Sequence, residues 1–285
     1  LIASPSKVYD EKKNIQEGLS VSDREILETQ AQKCASMLEK SKHAVLLSGA
    51  GMSTSAGLPD FRGPQGIYRQ KLHTDPERIF DIDAFHEDPS FFYDFHREFL
   101  RTVEKIKPTF AHKFFASLEK EEILDGIITQ NIDALHQRAG SRKVYEIHGG
   151  IWKSFCLGCG KTWGYEESLK LAFEQDVPRC DSCGGVIKPD IVFFGEMVKH
   201  LDECRALAES ADLFFVVGSS LVVTPAALLP SMTRGKVIIV NKGDISRTYL
   251  PEHRVVLHAE EDIDTFFRTV NSYLKFEVPE DSKDG

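Results

Sequence analysis

The chain has 285 residues, 41% of them apolar and 28% charged, with 35 Lys and Arg against 44 Asp and Glu. That length suits about two domains or one large one, with an interior that needs no disulfide staples. A formal net charge of −9 argues against a general nucleic-acid or anionic-membrane binder and suits a cationic partner such as a lysine-bearing peptide. The apolar runs fall far short of the ~20 residues of a bilayer span.

Residues 1–20 are polar and patternless, and L-I-A-S-P-S-K-V-Y-D at the start has neither an apolar core nor a cleavage signature. No signal peptide is expected, and a cytoplasmic location is. Ser22 and Glu25 predict a capping box opening a helix near 22–40, with Ile26, Leu27, Cys34 and Leu38 on one face. A-V-L-L-S (44–48) is a short continuous apolar run, as in a strand buried on both faces. Similar strands are predicted at 126–130, 191–194, 213–218, 237–241 and 254–258, with helices at 110–120, 199–210, 225–233 and 262–274. Strands alternating with helices predict a parallel α/β sheet. Residues 64–107, aromatic and helical in pattern, and 151–190, which hold the cysteine pairs, break that rhythm and are expected to form a smaller lobe. There is no internal repeat and no low-complexity segment.

The first strand runs into Gly49-Ala50-Gly51 and a helix start. Glycines let a backbone approach a pyrophosphate, and a helix N-terminus offers free N–H groups. The third glycine is Gly57, so the spacing departs from the dehydrogenase fingerprint, and no acid follows about 20 residues on. Taken alone, the loop is either a phosphate cradle or a tight turn. Asn241, ending V-I-I-V-N, stands either at a ribose or as a turn cap, and Gly218-Ser219-Ser220 likewise follows a buried strand.

Cys156, Cys159, Cys180 and Cys183 form two C-x-x-C pairs separated by 20 residues. In a reducing compartment that spacing predicts a closed four-thiolate zinc site with no position left for water. Cys34 falls on the apolar face of a helix and Cys204 in a helical stretch, and both are expected to be buried and inert. Asp133, in Thr129-Gln130-Asn131-Ile132-Asp133, either caps a helix or serves a ligand. His148, in E-I-H-G-G, is either structural or the proton-transfer group that imidazole suits near neutral pH.

Together these pieces resemble the sirtuin family of NAD-dependent protein lysine deacylases. The matching motifs are G-A-G-M-S-T-S-A-G-L-P-D-F-R-G (49–63), T-Q-N-I-D (129–133), H-G (148–149), the cysteine pairs, I-V-F-F-G-E (191–196), G-S-S-L-V-V-T-P-A-A (218–227) and V-N-K-G (240–243). They occur in the family's order over about residues 25–275, while 1–24 lie outside. G-P-Q-G-I-Y and F-D-I-D (63–68, 80–83) resemble the bacterial branch called class U. Met52, Leu58 and Ala56 depart mildly from the family's usual residues, and none removes a polar group the chemistry needs.

The resemblance implies a Rossmann-like NAD-binding domain (25–63, 108–150 and 191–275), an N-terminal arm (1–24), a helical module (64–107) and a zinc-binding module (151–190). It implies that Gly49, Ala50, Gly51 and Thr54 hold the pyrophosphate. Asp60, Phe61, Arg62 and Tyr68 would belong to the loop over NAD, Phe61 shielding the ribose carbon. Gln130 would contact the ribose, and Asn131, Ile132 and Asp133 would line the nicotinamide pocket. Gly218, Ser219, Ser220, Asn241 and Lys242 would take the far ribose and phosphates, with Asp262 and Ile263 bordering the adenine. Val192, Phe193, Phe194, Gly195 and Glu196 would pair with the substrate backbone, flanked by Leu221, Val222 and Val223.

The implied chemistry consumes NAD as a co-substrate. The acetyl-lysine oxygen attacks the ribose carbon and nicotinamide leaves. His148, counted with Asn131 among the catalytic residues, then serves as general base at a ribose hydroxyl. The products are nicotinamide, O-acetyl-ADP-ribose and free lysine. The rival readings are a protein ADP-ribosyltransferase, which would capture the same carbon with a protein nucleophile, and a zinc-bearing NAD sensor without catalysis. In P-S-F-F-Y-D-F-H-R-E-F-L (89–100), His96 stands where succinyl-preferring relatives carry Arg three residues after Tyr93, so acetyl is expected to outrun succinyl.

Overall fold

A computed structural model describes residues 20–58 and 76–279. Asp60, Phe61, Arg62 and Tyr68 lie outside the described residues, as do 1–19 and 64–75. The strands in chain order are β1 (Ala44–Ser48), β2 (Leu124–Thr129), β3 (Val144–Glu146), β4 (Gly149–Cys156), β5 (Thr162–Gly164), β6 (Ile187–Ile191), β7 (Leu213–Val217), β8 (Lys236–Val240) and β9 (Val255–Ala259). The α-helices are α1 (Val21–Leu38), α2 (Ile82–Glu87), α3 (Ser90–Lys105), α4 (Phe110–Lys120), α5 (Leu135–Arg138), α6 (Tyr165–Glu174), α7 (Leu201–Ser210), α8 (Leu229–Met232) and α9 (Ile263–Leu274).

Six strands form one parallel sheet in the order β3-β2-β1-β7-β8-β9. Every residue of β1 and β7 is buried, because helices cover both faces. Leu46, Phe215 and Ile238 pack with α1, α4 and α9 on one side, and Val45, Leu47, Phe214 and Ile239 pack with α7 and α8 on the other. The chain crosses from β1 to β2 in one direction and later resumes at β7 on the other side of β1. That reversal opens a crevice at the carboxyl ends of β1 and β7, where open α/β sheets bind ligands.

The smaller lobe contains the antiparallel sheet β5-β4-β6 and helices α2, α3 and α6. Its core is aromatic: Phe80, Phe85, Phe92 and Phe193 meet edge-on or tilted, with ring centroids 4.9–6.1 Å apart.

Four sequence expectations need correction. Ile26, expected on the apolar face of α1, is exposed, and the buried face is Leu27, Ala31, Cys34, Ala35 and Leu38. The cap of α1 is Ser20, whose Oγ accepts from Asp23 N at 3.2 Å; Ser22 already lies inside the helix and cannot cap it. The strand predicted at 191–194 is not part of the parallel sheet. β6 ends at Ile191 and pairs antiparallel with β4. Residues 192–194 instead bond across to His148, Phe80 and Ile82. The helix predicted at 225–233 is split into a 3-10 turn (Ala226–Leu228) followed by α8.

Candidate active site

The glycine loop leaves β1 as a 3-10 helix, Ala50–Ala56, rather than as an α-helix. Its path is fixed against the end of β7: Gly51 N–H donates to the Gly218 carbonyl at 2.9 Å, and Gly49 N–H to the Val217 carbonyl at 3.0 Å. Gly218 has φ +63, and a Cβ there would lie 2.3 Å from Met52 N. A Cβ on Gly49 would lie 2.6 Å from the Gly218 carbonyl oxygen. Two backbones can meet this closely only as glycines, which leaves the crevice mouth built of main chain, as a pyrophosphate requires. Thr54 is exposed, its hydroxyl bonded to the Gly51 carbonyl at 2.9 Å.

The end of β2 delivers the polar cluster. Gln130 N–H donates to the Ser48 carbonyl, and its side-chain Nε2 donates to Ser219 Oγ at 2.7 Å, spanning the crevice. Asn131 is buried and donates from Nδ2 to the Gly49 carbonyl (3.1 Å) and Ser53 Oγ (3.2 Å). Ser53 Oγ in turn donates to Asp133 Oδ2 at 2.7 Å, while Asp133 Oδ1 accepts from Leu135 N. The N-cap position of α5 is Ala134, so Asp133 is not its cap; it accepts the first helical N–H from just outside and is wired to the glycine loop. Burial raises its pKa, against the hydrogen bonds from Ser53 and Leu135. Ile132 is buried alongside.

His148 is half-buried, and its Nδ1 lies 3.1 Å from the Gln130 carbonyl. A carbonyl only accepts, so Nδ1 carries the proton and Nε2 keeps the lone pair a general base needs. Burial lowers its pKa and the Gln130 bond opposes that. Gly149, at φ +69, could not carry a side chain: a Cβ would lie 1.9 Å from the Asp190 carbonyl oxygen. The His148 carbonyl accepts from Val192 N–H at 2.8 Å.

The segment after β6 thus starts at His148. Phe193 is buried in the small-lobe core, whereas Phe194 and Gly195 are exposed. Leu221 is buried with φ +51, and Val222 is exposed. After β7 and β8, Ser219 and Asn241 are buried, Ser220 is half-buried and Lys242 exposed. Asn241 Nδ2 bonds the Gly243 carbonyl at 3.0 Å, so it does cap its turn. Asp262 caps α9 through Thr265 N, and Ile263 is buried behind it.

The cysteine pairs converge between β4 and β6. The four sulfurs lie within 4.8 Å of one another, with Cys156–Cys183 at 3.4 Å and Cys159–Cys180 at 3.7 Å. Those separations exceed any disulfide and match the edge of about 3.8 Å of a tetrahedron with Zn–S bonds near 2.3 Å. Gly158 N–H and Gly185 N–H point at the Cys156 and Cys183 sulfurs. The residues fit zinc, and four protein ligands make that zinc structural. Cys34 and Cys204 are buried, with their thiol pKa values raised by burial, that of Cys204 to about 12. Ser53, which links Asn131 to Asp133, was not singled out by sequence; its place inside the glycine loop was the available signal.

The model of the Sir2 family matches residues 49–225. The NAD-dependent protein deacetylase of Thermotoga maritima is 46% identical over 213 residues, covering 73% of this chain and 85% of that protein. NAD-dependent protein deacetylase 1 of Pyrobaculum aerophilum is 40% identical over 232 residues, covering 80% and 89%. A solved Sir2–p53 peptide–NAD+ complex superposes with TM-score 0.76 at 40% identity, covering 86% of this chain and 98% of that one. A Sir2 variant with a deacetylated p53 peptide and 3'-O-acetyl ADP-ribose gives 0.79 at 40% identity, covering 87% and 100%. The chain belongs to the Sir2 family. Within it, this is an NAD-dependent protein deacetylase with a Rossmann-like sheet and a four-cysteine cluster suited to structural zinc. Among the described residues, no helix is long and apolar enough to cross a membrane.

Proposed function

We propose that the crevice takes NAD with its pyrophosphate on Gly49, Ala50, Gly51 and Thr54 against Gly218. The far ribose lies toward Ser219, Ser220, Asn241 and Lys242, and the adenine toward Asp262 and Ile263. Gln130 meets the near ribose, and nicotinamide sits among Asn131, Ile132 and Asp133. An acetylated protein or peptide docks on 192–196, facing Leu221–Val223, by strand addition. The observation that supports this reading is that His148 bonds Gln130 through Nδ1 and Val192 through its carbonyl, which leaves Nε2 for the base role.

The acetyl oxygen, held at the ribose carbon, displaces nicotinamide. His148 Nε2 then takes the proton of a ribose hydroxyl, whose oxygen attacks the resulting amidate. Water completes the transfer, giving free lysine and O-acetyl-ADP-ribose. Asp60, Phe61, Arg62 and Tyr68 keep the roles their motif implies, closing over NAD.

We assign the finer branch to class U on the 63–68 and 80–83 motifs, and retain the four-part domain division given above. Thiolates kept for a metal need a reducing compartment, which supports a cytoplasmic location. The acidic balance supports protein rather than nucleic-acid or membrane partners. Mass spectrometry of an acetyl-lysine peptide with and without NAD tests the reaction. Loss of the acetyl group only with NAD, with a matching O-acetyl-ADP-ribose peak, is expected. ADP-ribose attached to protein, or no change, would refute it.

A further inference from the structure

Lys188, on β6, is 1% exposed, and the reaction above does not use it. Burying an ammonium costs several kcal/mol unless its protons are matched. Here Nζ donates to the Ile191 carbonyl at 2.6 Å and to Glu196 Oε2 at 2.8 Å, and stands 4.0 Å from the Phe193 ring centroid. Burial lowers its pKa, while the Glu196 carboxylate favours the charged form. The same Glu196 Oε2 accepts from Phe193 N–H at 2.8 Å. Glu196 N–H closes the turn onto the Phe193 carbonyl at 3.0 Å. Gly195, at φ +93, fills the left-handed position of that turn. Residues 193–196 are therefore folded around one buried cation.

A second link runs the other way. The Ile191 carbonyl that accepts from Lys188 shares a peptide unit with Val192 N–H, which donates to the His148 carbonyl at 2.8 Å. A cation on one end of a peptide unit polarises it and strengthens the bond at the other end. We propose that Lys188 is a positioning residue that locks 192–196 as the docking strand for the acyl-lysine peptide and ties that strand to the backbone of His148. The inference rests on the reading of 192–196 as the peptide site.

The test compares Lys188→Met, Glu196→Gln and the double variant in the full chain. The readouts are KM for acetyl-peptide, KM for NAD, thermal midpoint, and hydrogen exchange of 192–196 with and without peptide. Lys188→Met is expected to raise peptide KM at least tenfold while NAD KM stays within threefold. Glu196→Gln should raise peptide KM at least threefold, and the double variant should be no worse than Lys188→Met, because the two residues act as one unit. Should Lys188→Met not fold, Glu196→Gln alone decides. Unchanged peptide KM in a folded variant overturns the proposal, as does a parallel rise of both KM values tracking lost thermal stability. If peptide fails to slow exchange at 192–196 in the wild type, the docking reading itself fails. Slowed exchange with unchanged KM in the variants sinks only the role of Lys188.

Discussion

Three histidines are sealed inside this protein as neutral groups, and that should make it acid-labile. His96, His112 and His136 are 4%, 0% and 1% exposed. Burial pulls the pKa of His96 and of His136 to about 3 and that of His112 well below its ordinary value. His112 and His136 face one another with ring centroids 4.8 Å apart, so protonating either also disfavours the other. The unfolded chain takes up these protons near pH 6.5, whereas the folded chain does not. Their contribution is intact above 6.5 and is lost as pH falls from there toward 3. At pH 5.5 three such groups set a slope of about 4 kcal/mol per pH unit. The raised pKa values of Asp133 and Glu146 oppose it in part. Against a typical stability of about 5–15 kcal/mol, one to a few pH units should unfold the domain. Urea unfolding at pH 7.0, 6.0, 5.5 and 5.0 measures the slope. His96 stacks on Phe92 with centroids 4.9 Å apart, so His96→Phe keeps the packing and removes one proton. Zinc release affects both chains alike and cancels in the comparison. The expected result is that the wild type takes up about one more proton on unfolding at pH 5.5 than His96→Phe does. Identical slopes would refute the reasoning.

His148→Ala should leave NAD affinity within threefold and cut turnover by ~10²–10⁴, read by steady-state kinetics beside a direct NAD titration. Because burial lowers the His148 pKa, the neutral base persists as pH falls, so the acid limb of kcat/KM should have its midpoint below 6.5; a midpoint above it argues against His148 as the base. Cys159→Ser, or strong chelation, should lower the thermal midpoint and activity together, because metal binding and local folding are one event, and cobalt should restore the chelated protein; an unchanged metal-free midpoint would exclude a structural zinc. Acetyl should exceed succinyl by at least ~tenfold in kcat/KM, about 1.4 kcal/mol. Arg97 is committed to Asp94 and the carbonyls of Ala172, Gln175 and Asp176. The Tyr93 hydroxyl is held by the Ile187 carbonyl, and His96 stays neutral. Equal rates on matched peptides would show that some cation does reach an acyl carboxylate.

What was legible in the sequence is what local chemistry forces. A strand covered on both faces must be apolar throughout, so β1 and β7 announced themselves. Two backbones that meet closely need glycine, so Gly49 and Gly218 stood out, and four thiolates at zinc spacing admit few other uses. The cap of α1 was misplaced by two residues because Ser20 and Ser22 carry the same hydroxyl and only backbone conformation separates them. β3 is three residues long and half-buried, too short for a periodicity to show.

The strand at 187–191 was displaced for a deeper reason. Lys188, Pro189 and Asp190 interrupt the apolar stretch, and a lysine ordinarily marks solvent. Its burial depends on Glu196 and the turn at Gly195, and on β4, which pairs with β6 across the zinc module. None of these can be inferred from the neighbours of Lys188 in the chain. The same holds for Ser53, whose bonds to Asn131 and Asp133 join positions about 80 residues apart. Residues whose chemistry faces a ligand are constrained by that ligand and so carry a local signature. Residues that hold them in place are constrained by distant parts of the chain, and the structure is needed to find them. In this protein the second kind converges on the first at one point: the peptide unit between Ile191 and Val192, with a buried cation on its carbonyl and the backbone of His148 on its N–H.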